Sequence, residues 1–252
     1  MSLIADPVTQ LEISTNRYLV RLARNEKEVD EALKLRFEIF GKELGLEHAY
    51  IEGRDRDIYD SQFDHLLVFD KRSNLVIGTY RAQTRAMAEE GCGFASATEF
   101  DISRFPEAFL DEAIEVGRSC IAMKYRKGSV LYLLWKALAR YLTLRGKRYL
   151  FGCCSLKSQD VHEGMAIQRY LEARGHIHPT LNIPPLPEFN CYPEEGELKH
   201  EKVKIPELMR LYLQLGARVC GAPAIDRSYK TIDFMVVLDR NKVDKKRYGD
   251  FK

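Results

Sequence analysis

Glu115 and Arg118 stand on either side of Val116-Gly117 in an apolar segment that predicts a strand beginning at Ala113. A bulge near Gly117 would interrupt the strand and leave a backbone N–H free. In that arrangement Glu115 is a candidate general base for an amine, and the free N–H is a candidate donor to a carbonyl oxygen. The alternative is that Glu115 and Arg118 form a purely structural ion pair.

A basic turn, MKYRKGS, follows this strand at residues 123–129. The next segment, Val130 to Leu144, predicts a long apolar helix. Free N–H groups and the dipole at a helix start favour an anion, and Lys124, Arg126 and Lys127 add positive charge. The turn has one glycine and lacks the ending of a Walker loop. It therefore predicts a site for pyrophosphate or phosphopantetheine, or else a capped helix start without a ligand.

Arg36 is a cation in an apolar helical stripe. The helix is predicted to begin after Asn25, with Glu28 completing a capping box, and to end at Gly45. A guanidinium facing the core needs a carboxylate or an anionic ligand, because an unpaired buried charge is costly. The acidic loop at 46–62 offers such carboxylates, although an arginine reaching outward from the edge of the stripe is the other reading.

Other candidates surround a predicted β-hairpin. Asp64 and His65 stand where its first strand begins, as an acid–base pair or as structural residues, and Arg81 lies on its second strand. Cys120 is interpreted as a core thiol rather than a nucleophile. The two histidines of the HIH segment at 176–178 lack a spaced third ligand, so no metal site is predicted.

Composition narrows the class of protein. The 252 residues are 45% hydrophobic and 30% charged, with a formal net charge of +2, which argues against a nucleic-acid binder. Six cysteines without CxxC spacing, and no signal-peptide pattern at the start, predict a reducing, cytoplasmic compartment. No apolar run is long enough to span a bilayer, so membrane contact is expected to be peripheral, at the inner membrane.

The order of predicted elements indicates an α+β fold in which a mixed central sheet is flanked by helices, rather than a doubly wound domain. We expect a loose leader at 1–16, one domain at 17–240 and a basic tail at 241–252. A proline-rich irregular insertion is expected at 176–204. Within the domain, 94–101 is expected to be extended and 216–224 to be a turn.

Several segments together resemble a known family. They are LKLRFEIFGKELG, DIYDSQFDHLLVFD, VIGTYRAQT, AIEVGRSCIAMKYRKGSVLYLLWKALARYL, YLFGCCSLKSQD and IPELMRLYLQLGARVCGAPAIDRSYKTIDFMVVLD. Over most of residues 30 to 239 the chain is similar to GNAT-fold L-ornithine N-acyltransferases of ornithine-lipid synthesis, often labelled hemolysin-like. A more distant similarity is to acyl-homoserine-lactone synthases, through Arg36 and Phe40, Tyr59 and Asp60, and Glu115 and Arg118.

The resemblance implies transfer of a 3-hydroxyacyl group from acyl carrier protein to the α-amine of an amino acid such as ornithine. The phosphopantetheine thioester, or acyl-CoA, would be a substrate, with no permanently bound cofactor. Glu115 and Arg118 would be catalytic. Acceptor-binding residues would be Arg36, Asp60, Asp64, His65 and Arg81. Donor-binding residues would be Ile121, Ala122, Met123, Arg126, Lys127, Gly128 and Ser129. A signal synthase using the same donor, or a membrane-active protein without enzymatic activity, are the alternatives.

Overall fold

The computed structural model describes residues 6–43, 45–46, 50–126, 129–192 and 203–243. The strands in these residues are β1 Glu12–Ser14, β2 Tyr18–Leu22, β3 Asp64–Asp70, β4 Leu75–Thr84, β5 Ala113–Ile121, β6 Tyr149–Leu156, β7 Arg218–Val219, β8 Ala224–Asp226 and β9 Thr231–Asp239. The α-helices are α1 Glu26–Arg36, α2 Arg85–Glu90, α3 Glu107–Asp111, α4 Val130–Leu144, α5 Val161–Ala173 and α6 Glu207–Gln214. A π-helix, Phe37–Lys42, directly continues α1.

The chain divides into two compact units, and the range predicted as one domain, 17–240, includes parts of both. The first unit comprises the described residues within 1–92 and 116–148. The second comprises those within 93–115 and 149–249. The chain passes from one unit to the other within β5, whose first three residues belong to the second unit.

The first unit is built on antiparallel strands. β1 pairs with β2, β2 with β3, and β3 with β4. Leu66, Leu67 and Val68 of β3 are fully buried, because this strand has a partner on each side and helices α1 and α4 pack against the sheet. The predicted hairpin is thereby confirmed, and so is the helical cap: Asn25 Oδ1 accepts a hydrogen bond from the Glu28 N–H.

The second unit is built on β6, which has a partner strand on each side. β6 pairs in parallel with the first three residues of β5 and antiparallel with β9 over its whole length. β9 also pairs with β7 and β8. Phe105, Phe109 and Phe151 form an aromatic group in the core beside this sheet. The mixed sheet flanked by helices confirms the predicted α+β class.

The expectation of a loose leader is wrong for its described part. Residues Pro7–Gln10 form a 3-10 helix, capped by the Asp6 side chain, and β1 follows. Val8 and Leu11 are buried, because this segment packs against α4. The burial of two apolar side chains orders a segment whose own pattern is too short to predict a strand.

Three further expectations need correction. The helix predicted to reach Gly45 changes to π geometry after Arg36. The piece expected to be extended at 94–101 contains the 3-10 helix Ala95–Thr98. The turn expected at 216–224 contains β7 and the start of β8, which form because β9 offers them a hydrogen-bonding edge.

The described part of the insertion, residues 176–192 and 203–204, contains one short helix, the 3-10 helix Pro187–Phe189, together with isolated bridges. Its prolines remove backbone donors, which explains why it contributes no strand. Of the predicted tail, residues 241 and 242 lie in the 3-10 helix Arg240–Lys242. Positions 244–252 lie outside the described residues.

Candidate active site

Arg36, the last residue of α1, is the centre of a buried ionic network in the first unit. Its side chain is 1% exposed, and its Nε donates to Asp55 Oδ2 at 2.9 Å. Its Nη1 donates to Asp60 Oδ1 at 2.5 Å. Both partners come from the acidic loop, so the expectation that a core-facing guanidinium pairs with that loop is confirmed.

Two further arginines complete the network. Arg81 Nη1, on β4, donates to Asp57 Oδ1 at 2.7 Å and to Asp60 Oδ1 at 2.9 Å. Arg118 Nη2, on β5, donates to Asp57 Oδ2 at 3.3 Å, and its Nε lies 3.4 Å from Asp55 Oδ2. We call this set the arginine–aspartate network: Arg36, Arg81, Arg118, Asp55, Asp57 and Asp60.

The network balances three guanidinium groups against three carboxylates. Burial alone would raise the pKa of Asp60, but the charges of Arg36 and Arg81 outweigh it and lower that pKa to about 2. Burial likewise opposes the charge on Arg36, while Asp55 and Asp60 raise the Arg36 pKa. Asp60 and Arg36 are therefore kept ionised by their neighbours. Removing either one would leave a buried partner without compensation.

Only part of the network reaches solvent. The side chains of Arg36, Arg81, Asp55 and Asp60 are at most 4% exposed, whereas those of Asp57 and Arg118 are 19% and 24% exposed. Arg118 has a φ of 50°, a left-handed conformation uncommon for a residue with a side chain, directly after Gly117. The backbone thus leaves the extended conformation next to the glycine where the sequence predicts a bulge. One carboxylate and one guanidinium form the accessible edge.

His65 is buried beside the network. Its Nε2 lies 2.9 Å from the carbonyl oxygen of Asp60, and because a carbonyl only accepts, Nε2 carries the proton. Burial lowers the His65 pKa and the nearby arginines add to this, so the ring is neutral at pH 7. His65 thus holds the loop without adding charge.

Asp64 has other partners. Its Oδ2 accepts hydrogen bonds from Tyr141 Oη, on α4, at 2.7 Å and from Arg145 Nη2, directly after α4, at 2.8 Å. Neighbours in a strand point to opposite faces, so Asp64 and His65 do not form the acid–base pair that their adjacency suggests.

Glu115 is buried in the second unit, 1% exposed. Its Oε1 accepts hydrogen bonds from the Ser96 N–H at 2.6 Å and from the Ser96 hydroxyl, and its Oε2 accepts one from the Ala95 N–H at 3.1 Å. These bonds cap the 3-10 helix at Ala95 and hold the carboxylate in one orientation. Ser96 is a partner that sequence reasoning missed.

The basic turn at 123–129, which we call the donor turn because it is predicted to bind the acyl donor's phosphate, is hydrogen-bonded to its surroundings through two side chains. Tyr125 Oη donates to Asp70 Oδ2 at 2.9 Å, at the end of β3. Arg126 Nε donates to the Ile121 carbonyl at 3.0 Å, and its Nη2 donates to Glu43 Oε1 at 2.7 Å. The Arg126 guanidinium therefore binds the Glu43 carboxylate at the position where we predict a phosphate.

The other predicted donor residues differ in accessibility. The Ala122 N–H donates a hydrogen bond to the Ile77 carbonyl at 2.9 Å. Ala122 is therefore removed from the backbone amides predicted to bind phosphopantetheine. Met123 is 67% exposed. Ser129 is the N-cap of α4 but makes no capping hydrogen bond through its side chain. Lys127 and Gly128 lie outside the described residues.

Comparison with known proteins identifies the family. Residues 35–136 match the model of an acetyltransferase (GNAT) domain. An L-ornithine N(alpha)-acyltransferase of Rhizobium meliloti is 31% identical over 88% of this chain and 80% of its own length. The chain belongs to this acyltransferase family. A relative of the same name from Agrobacterium fabrum is 31% identical over 86% of this chain and 79% of its own.

Solved structures agree with the fold of the family. An N-acyl amino acid synthase from uncultured soil microbes superposes with a TM-score of 0.55, at 12% identity, over 92% of this chain and 97% of that one. A CoA-dependent acyl-homoserine lactone synthase, solved with SAM and isopentyl-CoA, gives a TM-score of 0.50 at 16% identity over 89% and 83%. At such low identity these likenesses establish the GNAT-like fold alone.

In this acyltransferase, Cys120 is not suited to carry an acyl group. It is buried, and burial raises the pKa of its thiol to about 12. A nucleophilic cysteine needs its thiolate near neutral pH, so the interpretation of Cys120 as a core residue agrees with the structure.

A second group of acids lies in the second unit. Glu99, Asp226 and Asp233 bring carboxylate oxygens within 4.8 Å of one another. Asp233 accepts hydrogen bonds from the Ser155 and Thr231 hydroxyls, and Asp226 accepts from backbone N–H groups of its own turn. Spacing along the sequence does not reveal this group, because more than a hundred residues separate Glu99 from the other two.

Sequence reasoning also missed two members of the arginine–aspartate network, Asp55 and Asp57. The segment RDRDIYD at 54–60 alternates acidic residues, and that spacing is the signal that could have found them. Among the described helices, none combines the length and the apolar character required to cross a bilayer.

Proposed function

We propose that this acyltransferase moves a fatty acyl group from a thioester donor to the α-amine of ornithine, giving a lyso-ornithine lipid. One observation carries the proposal. Four relatives named L-ornithine N(alpha)-acyltransferase are 29–31% identical over 86–91% of this chain. Because the similarity extends over most of the chain, we expect the same fold to support the same activity. The arginine–aspartate network supplies charges that suit an amino-acid acceptor.

The proposed donor is a 3-hydroxyacyl chain on the phosphopantetheine of acyl carrier protein, with acyl-CoA as the alternative. Pantetheine would lie along Ile121 and Met123, and its phosphate would meet Arg126, Lys127, Gly128 and Ser129. Two features support this assignment: the start of α4 favours an anion, and Arg126 already binds the carboxylate of Glu43.

The reaction is a direct transfer. The amine nitrogen attacks the thioester carbonyl carbon, a C–N bond forms, and the C–S bond of the tetrahedral intermediate breaks. The amine loses a proton and the leaving thiolate gains one, so no oxidant or metal is consumed. The high pKa of the buried Cys120 thiol supports this route over an acyl-enzyme.

Glu115 would take the amine proton, directly or through water. The hydrogen bonds from Ser96 and Ala95 support this role, because they hold the carboxylate in one orientation. Glu115→Gln should lower kcat by about a hundredfold or more with little change in the ornithine KM. Ser96→Ala is the matched control, and it should cost much less because the Ser96 N–H remains. Full activity in a folded Glu115→Gln protein would remove Glu115 as the base.

Arg118 and Asp57 would bind the acceptor. They are the partly exposed members of the network. Ornithine offers its carboxylate to the guanidinium and its side-chain ammonium to the carboxylate, so the α-amine is left to attack. Arg36, Asp60, His65 and Arg81 would hold this pair in place. Asp64, which is bound to Tyr141 and Arg145, has no part in the proposal. Asp57→Asn should raise the ornithine KM about tenfold or more and change kcat less.

Mass spectrometry of lipids from a host that makes no ornithine lipid tests the function as a whole. Expression of this chain should add an N-acyl-ornithine, and Glu115→Gln should strongly reduce its amount. If an acyl-homoserine lactone or another N-acyl amino acid were found instead, the acceptor would be a different molecule from ornithine. Lysis of membranes by the purified chain without any acyl donor would favour a membrane-active protein.

All six cysteines are free, as in a reducing compartment, so we place the reaction in the cytoplasm, with peripheral contact at the inner membrane.

A further inference from the structure

Helix α4 has an exposed face that its apolar packing does not use. Leu134, Leu138 and Tyr141 are buried on the side that packs against β2, β3 and β4. Tyr132, Lys136 and Arg140 are exposed, and their four-residue spacing puts them in one row along the opposite side. We call these three residues the basic stripe. From Tyr132 to Arg140, eight positions later, it extends about 12 Å along the helix.

The cations of the basic stripe have no ion-pair partner in the part of the chain that the structure describes. Neither Lys136 nor Arg140 forms an ion pair among the residues that the structure describes, whereas Arg145, one turn further on, binds Asp6 and Asp64. Helix α4 itself contains no acidic residue from Val130 to Leu144. Tyr132 adds an aromatic ring that is 52% exposed. A row of unpaired cations beside an exposed aromatic ring is a composition that suits a protein interface.

The stripe also has a defined position relative to the donor turn. Helix α4 begins directly after the turn at 123–129, where we place the donor phosphate. Lys124 in that turn is exposed as well, so positive charge continues from the turn to Arg140. A ligand whose phosphate sits at the start of α4 and whose body carries negative charge would meet both features at once.

We propose that the basic stripe of Tyr132, Lys136 and Arg140 docks an acidic protein that carries the acyl group on a phosphopantetheine arm. This inference rests on the proposed function and deepens it by naming the surface that recognises the donor's protein. Arm and protein surface bind as two linked contacts, so a weak docking face becomes effective once the arm is in place. Opposite charge also speeds the encounter of the two proteins.

An anionic membrane is the other acidic surface that a basic helix face can meet. Lasting membrane attachment takes clusters of about four to eight cations. The stripe has two, with Lys124 as a third. A carrier protein needs fewer cations, because the arm supplies the second contact.

The test compares two donors with the same acyl chain. One is the acyl carrier protein, and the other is the acyl-pantetheine thioester, which has neither protein nor phosphate. The double variant Lys136→Glu/Arg140→Glu should raise the Kd of the carrier protein about tenfold or more and weaken its salt dependence. The kcat/KM for acyl-pantetheine should change less than twofold. Lys136→Gln/Arg140→Gln should give an intermediate Kd, and circular dichroism checks that each variant is folded.

Lys27→Glu is the matched control, because Lys27 is an exposed helical lysine on α1 in the same unit. A carrier Kd that is equal in the double variant and in Lys27→Glu would overturn the docking surface. Transfer by the unaltered protein from acyl-CoA but not from the carrier protein would also overturn it and leave the acyltransferase proposal standing. No transfer from any of these donors would instead contradict the proposed function. Binding to phosphatidylglycerol vesicles that the double variant loses, with carrier binding unchanged, would assign the stripe to a membrane.

Discussion

Arg36 shows what a single buried charge contributes to this protein. Its guanidinium binds Asp55 and Asp60 in a site that water scarcely reaches. Arg36→Ala would leave both carboxylates without that partner, so we expect the free energy of unfolding in urea to fall by about 3–5 kcal/mol. Arg24→Ala, which removes an exposed pair with Glu12, should cost less than about 1 kcal/mol. Equal losses in the two variants would contradict a buried network.

Asp60 makes the same network sensitive to acid. Its pKa in the folded protein is about 2, below the ordinary value of 3.8, because of Arg36 and Arg81. A carboxyl group whose pKa is lower in the folded state stabilises the fold when the pH is above the pKa of the unfolded chain. That stability is lost as the pH falls from about 5 towards 2. The contribution is roughly 2 kcal/mol. Urea unfolding of Asp60→Asn across this range should show a shallower pH dependence than the unaltered protein. Parallel curves would refute the assignment.

At the scale of elements, the π-helix after Arg36 depends on a glycine. A Cβ on Gly41 would lie 2.7 Å from the Phe37 ring and 3.2 Å from that of Tyr50. These rings pack edge to face, with centroids 5.8 Å apart, and hold the π-helix against the chain that follows it. Gly41→Ala should therefore cost about 1–3 kcal/mol of stability, measured by thermal unfolding. Glu38→Ala, on the exposed side of the same π-helix, should cost less than about 0.5 kcal/mol.

The elements also show how far sequence reasoning reaches here. Periodicity predicted α4, and it indicated that Arg36 needs a carboxylate or an anionic ligand. It could not predict which aspartates form ion pairs with Arg36, because the conformation of a long loop places Asp55 and Asp60 beside the guanidinium. The extended piece expected at 94–101 failed for the same reason. Its N–H groups bond to Glu115, so a contact between distant segments, rather than local propensity, shapes the chain there.

At the scale of the whole molecule, the six cysteines differ in one property that bears on the mechanism. Cys92 alone among them is exposed. Burial raises the thiol pKa of Cys120, Cys154 and Cys220 to about 12, that of Cys191 to about 11, and that of Cys153 well above its ordinary value. Thiols react with alkylating reagents as thiolates, so five of the six should be inert in the folded protein.

Iodoacetamide at pH 7.5 should consequently modify one thiol rapidly in the native protein and all six in denaturant, counted by intact mass. The singly modified protein should retain acyl transfer, because direct attack by the amine uses no cysteine. Cys92→Ser provides the control: it should show no rapid labelling and the same activity. If labelling of Cys120 accompanies loss of activity in the Cys92→Ser protein, and an acyl donor protects against both, transfer proceeds through a thioester on the enzyme. The direct route requires instead that the buried thiols stay protonated and unmodified throughout turnover.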